Sequence, residues 1–188
     1  IVNTPWTGIF AALNNGDVDL IISGVTINDK RRQSYDFSAP YFEARQLIAV
    51  PTSSTAKGLK DLAGKKVCAP FGTTNMTKLK TFQAVEAVGA DTHTGCLVLF
   101  QQGAVDGITG DDTVLAGLAA QDPYADVVQA PAFTAEPYGL GVNQDNVDFV
   151  RFVNGVLADM KADGRWTKSY NTWLADSLGK APAPPKPV

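Results

Sequence analysis

A helix, glycine and strand pattern occurs twice in the chain, as IFAALNNGDVDLIISG (residues 9–24) and LVLFQQGAVDGITGD (residues 97–111). In the first copy, apolar residues at helical spacing precede Gly16, which can end a helix, and the apolar run Val18–Ile22 follows as a predicted strand. Both copies contain an apolar residue, two amides, a glycine and a later VD pair, so Gly103 matches Gly16. The repeat predicts an α/β fold of two similar units, each with helices on a mostly parallel sheet. The alternative is that such junctions are common in any α/β protein.

Each copy also ends in a position suited to ligand contact. Counting on from the matched Asp19 and Asp106, Gly24 and Asp111 occupy equivalent places just past the predicted strands. In open α/β sheets, ligands bind beyond the carboxyl ends of the strands. We therefore expect Gly24 and Asp111 to belong to a binding site.

Composition excludes several classes of protein. With 188 residues, of which 45% are hydrophobic, the chain can form one large domain or two small ones. The net charge of -3, without any basic cluster, argues against a nucleic-acid partner. Apolar runs such as Val18–Val25 are far shorter than the roughly 20 residues that cross a bilayer. The first ten residues lack the basic region and cleavage site of a signal peptide, so we expect any targeting segment to be removed or upstream.

The two cysteines and one histidine limit metal and redox chemistry. Cys68 and Cys96 are too far apart for a CxxC motif, and together with His93 they are too few for a zinc site. No metal or cofactor is expected. A disulfide and two buried thiols both remain possible. A disulfide would close a loop of about 27 residues, stabilise the fold by about 3 kcal/mol and indicate an oxidising compartment.

The second half of the chain predicts further elements. A strand is expected at Lys66–Ala69, and Gly72, Thr73 and Thr74 follow it with residues suited to opening a helix. Backbone N–H groups at that helix start could receive an anion, although an ordinary helix N-cap explains the same residues.

Near the C-terminus, YGLGVNQ predicts a strand and is followed by two helical segments. Four apolar residues recur in the first helix at intervals of three or four and predict its core-facing side: Val147, Val150, Val153 and Leu157. Residues 180–188 are rich in proline and predict a disordered or extended tail.

The stretch GVTINDKRRQSYDFSAPY (residues 24–41) contains the candidate chemistry. If a turn or short helix begins at Asn28, the Thr26 hydroxyl and the Arg31 guanidinium reach the same point beside Gly24. Arginine offers two parallel donors to a carboxylate, which suits it better than lysine for this role. Asp111 only accepts hydrogen bonds when ionised, and so suits an ammonium group. Together these residues predict a receptor for a zwitterion.

Ordinary structural roles explain the same residues. Arg31 could pair with Asp29 or Asp36 at the surface, and Asp111 could cap the helix that follows it. Asp112 is an equally good cap, which would leave Asp111 available for a ligand.

Residues 6–44, WTGIFAALNNGDVDLIISGVTINDKRRQSYDFSAPYFEA, resemble the central signature of a bacterial family. The family is the extracellular solute-binding proteins of the polar amino-acid class, the receptors of amino-acid ABC importers. The resemblance continues through DLAGKKVCAPFGTT, CLVLFQQGAVDGITGDDTVLAGLAAQDPY, EPYGLGVNQDN and RFVNGVLADMKADGRW, and so covers nearly the whole chain from Trp6 to Leu178.

The resemblance implies an α/β, two-lobed periplasmic-binding-protein-like fold with two crossover strands, which closes on one amino acid. The implied divisions are lobe one at residues 1–51 and 138–179, lobe two at residues 52–137, and the proline-rich tail at 180–188.

The resemblance also assigns roles to the candidate residues. Gly24, Thr26 and Arg31 would hold the α-carboxylate of the ligand. Asp111 would accept its α-ammonium group, and Trp6 would pack on its side chain.

Lobe two would contribute further contacts and a covalent link. Gly72 and Thr74 would donate additional hydrogen bonds to the ligand. The segments VCAPFGTT and CLVLFQQG resemble the glutamate-binding proteins of actinobacteria, in which a disulfide is expected at the positions of Cys68 and Cys96. Glutamate is therefore the favoured ligand, followed by glutamine, aspartate or asparagine.

The implied function is binding rather than catalysis: delivery of a free amino acid to an ABC permease at the cell envelope, in the periplasm or on the outer face of the cytoplasmic membrane. The alternatives on the same fold are an amino-acid-sensing domain and a dehydratase-like enzyme. An enzyme would need a positioned acid or base, and no pairing of Ser or Cys with His is evident.

The resemblance finally implies that lobe one is incomplete. Family members carry a strand, a helix and a strand before the position of Trp6, so a truncated chain is expected. A misassigned start and a lobe completed by another molecule are the alternatives. Such a lobe would expose strand edges and apolar surface, and a lipid anchor, the only expected membrane attachment, would lie upstream.

Overall fold

The computed structural model describes residues 1–129 and 132–186, and the chain divides into two compact units. Unit one comprises residues 1–44 together with the chain from Glu136 onward, and unit two comprises Arg45–Ala135. The chain thus changes unit after Ala44 and again after Ala135, whereas the resemblance implied changes after residues 51 and 137. Both observed changes fall inside continuous strands, Phe42–Pro51 and Ala135–Tyr138, so neither coincides with the end of a strand.

Helices and strands alternate along most of the chain. The helices are α1 (Ile9–Asn14), α2 (Asp29–Arg32), α3 (Thr74–Leu79), α4 (His93–Gln101), α5 (Asp112–Ala119), α6 (Val147–Ala162), α7 (Arg165–Trp173) and α8 (Ala175–Leu178), with short 3₁₀ helices at Trp6–Gly8 and Leu59–Leu62. The strands are β1 (Tyr35–Phe37), β2 (Phe42–Pro51), β3 (Lys66–Pro70), β4 (Glu86–Ala90), β5 (Gly107–Asp111), β6 (Ala125–Val127), β7 (Ala135–Tyr138) and β8 (Gly141–Asn143).

Unit two is built on a sheet of strand order β4-β3-β5-β2-β6. β3 runs parallel to β4 and β5, whereas β2 runs antiparallel to β5 and β6. The predicted mostly parallel sheet is therefore mixed, because β2 enters it in the opposite direction. Alternate residues of β2 are buried on opposite faces: Leu47 and Ala49 pack into one apolar cluster, and Ile48 and Val50 into another.

Unit one contains a small antiparallel sheet of β1 and β8. The predicted strand Val18–Ile22 does not form, since in the described chain this run makes only an isolated bridge between Ile21 and Gly141. Gly141 also pairs with Phe37 of β1. The run thus touches β8 at a single point, and a strand needs successive paired residues.

The two glycines of the repeat end their helices in the same way. Gly16 and Gly103 adopt left-handed φ values of 75° and 68°. At each glycine, the N–H of the next residue donates to the carbonyl five residues earlier, at 2.9 Å. The predicted helix ends are confirmed, and this conformation favours glycine.

Helix α6 packs against the rest of unit one through part of its predicted core-facing side. Val153 and Leu157 of α6 are buried, and Val150 is half-buried. Val147 is 51% exposed, so its predicted core position is wrong. It is the first residue of α6 and lies at the end of the packed face.

Unit one carries an apolar groove of about 630 Å³. Its lining includes Phe149, Phe152, Val156, Trp166 and Trp173. Phe152 is 65% exposed and Trp173 is 79% exposed. The resemblance had implied exposed apolar surface on this unit.

The proline-rich tail forms no helix or strand at residues 180–186, and residues 187–188 lie outside the described chain. Lys161 Nζ donates to the carbonyl oxygens of Pro40 and Pro185, both at 2.8 Å. Partial burial lowers the pKa of Lys161. Among the helices of the described residues, none is long and apolar enough for a membrane crossing.

Candidate functional site

A short helix presents Arg31 in unit one. Asn28 is extended at φ -148° and accepts a hydrogen bond from the backbone N–H of Arg31 at 2.9 Å, which caps α2. The prediction that a short helix begins at Asn28 is confirmed. The helix is only four residues long, so the cap matters more than helix propensity here.

The Arg31 guanidinium is held from two directions. Its Nη1 donates to the backbone carbonyl of Thr26 at 2.7 Å. Its central carbon lies 5.5 Å from the ring centre of Trp6 and 5.7 Å from that of Phe10, within cation–π range. The structure therefore brings Trp6 and Arg31 together. Phe10 completes this setting and was missed, because its helical spacing indicated only a core role.

The Thr26 hydroxyl has a partner that the sequence did not predict. It donates to Glu136 Oε2 at 2.6 Å, and Glu136 is only 2% exposed. A hydroxyl has one proton to donate, so in this structure that proton goes to Glu136, where the sequence predicted donation to a ligand. The two residues meet through an antiparallel bridge between Thr26 and Tyr138, a contact over more than a hundred residues that no local pattern signals.

Gly24 is explained by close packing in unit one. A Cβ atom at this position would lie 3.0 Å from Cζ of Tyr138. Next to it, the Tyr41 hydroxyl donates to the Ser23 carbonyl at 2.7 Å, and burial raises the pKa of Tyr41 to about 12. The packing role does not conflict with the predicted ligand contact, because Gly24 itself is exposed.

Asp111 is the last residue of β5 in unit two and is 6% exposed. Its Oδ1 accepts a hydrogen bond from Asn75 Nδ2 at 2.7 Å. Asp111 occupies the N-cap position of α5, but its side chain makes no capping hydrogen bond. Asp112 instead accepts from the Thr113 N–H at 2.9 Å and forms an ion pair with Arg45 at 3.0 Å. The alternative role of Asp111 as a helix cap is therefore not observed.

The loop after β3 contains Gly72, Thr73 and Thr74. Gly72 has a left-handed φ of 73°. Thr73 is the N-cap of α3, since its hydroxyl oxygen accepts from the Met76 N–H at 3.0 Å. Thr74 is the first residue of the helix and is half-buried. The ordinary capping explanation is confirmed for Thr73 and leaves the predicted ligand contacts of Gly72 and Thr74 untested.

A buried amide lies opposite Asp111 in the sheet. Gln46 of β2 is paired with Asp111 in register and is fully buried. Gln46 Nε2 donates to Thr109 Oγ1 at 2.9 Å and to the Asn75 carbonyl at 3.2 Å. Sequence reasoning missed Gln46 and Asn75. For Gln46, the available signal was a polar side chain directly before the apolar run at residues 47–50.

The resemblance implied a disulfide between Cys68 and Cys96, and the structure contains it, with a sulfur–sulfur distance of 2.08 Å. Both cysteines are fully buried between the sheet and α4.

Nearby, His93 Nε2 is a buried nitrogen without a hydrogen-bond partner in the part of the chain that the structure describes. Burial lowers the pKa of His93 to about 4. No group of His, Cys, Asp or Glu in the described ranges could hold a metal ion.

Comparison with known proteins identifies the class. A model of the bacterial extracellular solute-binding proteins, family 3, matches residues 1–176, and the chain belongs to this family. The glutamate-binding protein of Corynebacterium efficiens is 32% identical over 94% of this chain and 62% of its own length. The ABC transporter glutamine-binding protein of Bacillus subtilis is 32% identical over 87% of this chain and 60% of its own length. The cystine-binding protein of Escherichia coli K12 is 30% identical, and the match covers 94% of this chain and 68% of that protein.

Solved structures agree with this assignment. An ancestral arginine-binding protein bound to glutamine has a TM-score of 0.86 and 33% identity, over 95% of this chain and 79% of that chain. The arginine-, lysine-, histidine-binding protein of Geobacillus stearothermophilus has a TM-score of 0.84 and 31% identity, over 96% and 78%. The predicted two-lobed, periplasmic-binding-protein-like fold is confirmed. The matching relatives are amino-acid-binding proteins of transporters and not enzymes.

Proposed function

We propose that this protein recognises a free α-amino acid through two charged groups, Arg31 of unit one for the α-carboxylate and Asp111 of unit two for the α-ammonium. The observation that carries the proposal is the setting of Arg31. A backbone carbonyl and two aromatic rings fix its guanidinium in one orientation. A fixed, planar pair of donors is the arrangement that binds a carboxylate in two parallel hydrogen bonds.

The remaining candidates have supporting roles in this proposal. Gly24 and Thr26 lie on the backbone segment that leads into α2, and the Thr26 carbonyl already orients Arg31. Trp6 offers an aromatic face to the ligand side chain as well as to Arg31. Gly72 and Thr74 contribute hydrogen bonds from the helix start in unit two.

Glutamate is the proposed ligand, followed by glutamine, aspartate and asparagine. The support is the similarity to the glutamate-binding proteins of Corynebacterium, at 31% and 32% identity, together with the disulfide. A glutamate side chain would need a second cation. Arg45 is paired with Asp112, and Lys78 Nζ lies 5.9 Å from the Phe82 ring centre. The structure thus does not favour either residue for that role, and the uncharged amides stay close competitors.

The proposed destination of the ligand is the permease subunit of an ABC transporter. The glutamine-binding relative of Bacillus subtilis is an ABC transporter protein, and the family is extracellular. A buried disulfide fits an oxidising compartment. We therefore place the protein at the cell envelope, in the periplasm or on the outer face of the cytoplasmic membrane.

Calorimetric titration with a panel of L-amino acids tests the proposal. The panel is glutamate, glutamine, aspartate, asparagine, arginine, histidine and cystine. We expect one member to bind, and expect Arg31→Ala and Arg31→Lys to weaken it at least tenfold, because each removes the paired donors. Arg32→Ala is the matched control, since Arg32 lies on the same helix but is exposed. Equal affinity in the Arg31 and Arg32 variants would show that Arg31 does not bind the carboxylate.

A further inference from the structure

A chain of buried polar side chains in unit two leads to Asp111. Asn75 Nδ2 donates to Asp111 Oδ1 at 2.7 Å, and Asn75 is 2% exposed. An ionised carboxylate only accepts hydrogen bonds. The amide of Asn75 must therefore turn its nitrogen toward Asp111, and this contact fixes the orientation of both groups.

The backbone of Asn75 is itself tied to the sheet. Its carbonyl accepts a hydrogen bond from Gln46 Nε2 at 3.2 Å. Gln46 lies directly opposite Asp111 in the register of β2 and β5. Gln46 thus faces Asp111 across the sheet and also donates to the backbone of Asn75, the residue that binds Asp111.

Gln46 has little freedom to move. Its Nε2 also donates to Thr109 Oγ1 at 2.9 Å, and its Oε1 accepts from Thr134 Oγ1 at 3.2 Å. Thr109 in turn donates to the Leu47 carbonyl at 2.8 Å. A buried amide with partners on both its nitrogen and its oxygen has one favoured orientation, and such satisfied networks are rigid.

We propose that Asn75 is a positioning residue, which holds the Asp111 carboxylate in the orientation that accepts the α-ammonium group of the ligand, and that Gln46 supports Asn75. The inference rests on the proposed function, since it needs Asp111 as the ammonium acceptor. A carboxylate can accept about four hydrogen bonds, so Asn75 and an ammonium group bind to it together. Orienting the carboxylate before the ligand arrives removes part of the entropic cost of binding.

The test compares Asn75→Ala, Asp111→Asn and the double variant by calorimetric titration. The probes are L-glutamate and glutarate, which is the same acid without the α-amino group. If the panel identifies L-arginine instead, the matched probe is guanidinovalerate. Thr77→Ala is the control, because Thr77 is on the same helix and its hydroxyl donates to the carbonyl of the N-cap residue Thr73, at 3.0 Å.

We expect Asn75→Ala to weaken amino-acid binding about tenfold, comparable to the loss of one charge-assisted hydrogen bond. It should leave glutarate binding unchanged, and Thr77→Ala should change neither. In the Asp111→Asn background, the further loss of Asn75 should cost less than about twofold, because the two residues act as a unit. Asn75→Gln, which keeps an amide donor, should recover part of the affinity.

Two results would overturn the inference alone: an equal loss for both probes, or losses at Asn75 and Asp111 that add in full. Either would mean that Asn75 only stabilises the fold. If the wild-type chain binds no panel member, or if Arg31→Ala and Asp111→Asn leave binding intact, the proposed function fails and the inference fails with it. Thermal unfolding of each variant checks folding. Should Asn75→Ala not fold, Gln46→Met takes its place, with a smaller loss expected in the same direction.

Discussion

Reduction of the disulfide between Cys68 and Cys96 should destabilise unit two by an amount that the structure allows us to work out. The two cysteines are 28 residues apart in sequence. For a closed loop of this length, the chain-entropy relation gives a loss of about 12 cal/mol/K in the unfolded chain, or about 3.5 kcal/mol at room temperature. For a unit of this size, that corresponds to a fall in melting temperature on the order of 15–25 °C.

Thermal unfolding with and without a reductant measures this fall, and thiol titration under denaturing conditions confirms full reduction. A Cys68→Ala and Cys96→Ala double variant serves as the control for the reductant, whose addition should not change its melting temperature. The reduced wild-type protein should melt near this variant. If the melting temperature of the fully reduced protein stays within a few degrees of the oxidised value, the entropic reasoning is refuted.

Four further changes should probe other parts of the fold. Because burial lowers the pKa of His93 from 6.5 to about 4, protonation favours the unfolded chain, and the free energy of unfolding should fall by about 3 kcal/mol as pH drops from 6.5 to 4. Denaturant titrations across that range check this, and a His93→Gln variant that keeps the full pH dependence would contradict it. Gly24→Ala brings a Cβ atom to 3.0 Å from the Tyr138 ring and should cost about 1–3 kcal/mol in denaturant unfolding. Gly155→Ala, in open space on α6, should stabilise by about 0.5–1 kcal/mol, and equal effects of the two would rule out the steric explanation. Phe152→Ser, in the apolar groove, should lower the fluorescence of a bound hydrophobic dye, whereas an unchanged signal would place dye binding elsewhere.

Local sequence rules predicted the helix ends and the start of the short helix that carries Arg31. Gly16 and Gly103 end their helices with left-handed φ values because the conformation of a helix end depends on a few adjacent residues. Asn28 caps the helix of Arg31 for the same reason. The run Val18–Ile22 failed as a strand because strand formation depends on a partner strand, which local sequence does not supply.

Other contacts of the candidate site join residues that are far apart in the sequence. Glu136 meets Thr26 over 110 residues, and Gln46 meets Thr109 over 63. No periodicity or motif reports such pairs, because hydrogen bonds between buried side chains follow from the register of the sheet. A polar residue that is buried in a strand, as Gln46 is, indicates only that some partner exists.

The network around Gln46 separates stability from binding. A buried polar network that is fully bonded contributes little net stability compared with apolar side chains of similar shape. Gln46→Leu alone should cost about 1–3 kcal/mol, because it leaves the Thr109 hydroxyl and the Asn75 carbonyl without this donor. Adding Thr109→Val removes one of those groups and should recover part of the loss.

Amino-acid affinity should not recover in the Gln46→Leu and Thr109→Val double variant, since Asn75 still lacks the donor that holds its backbone. Denaturant unfolding and calorimetric titration of the single and double variants measure the two quantities independently. Parallel recovery of stability and affinity would mean that the network acts on binding only through the stability of unit two. Recovery of stability without affinity would mean that these polar groups are buried in unit two to orient Asp111 through Asn75.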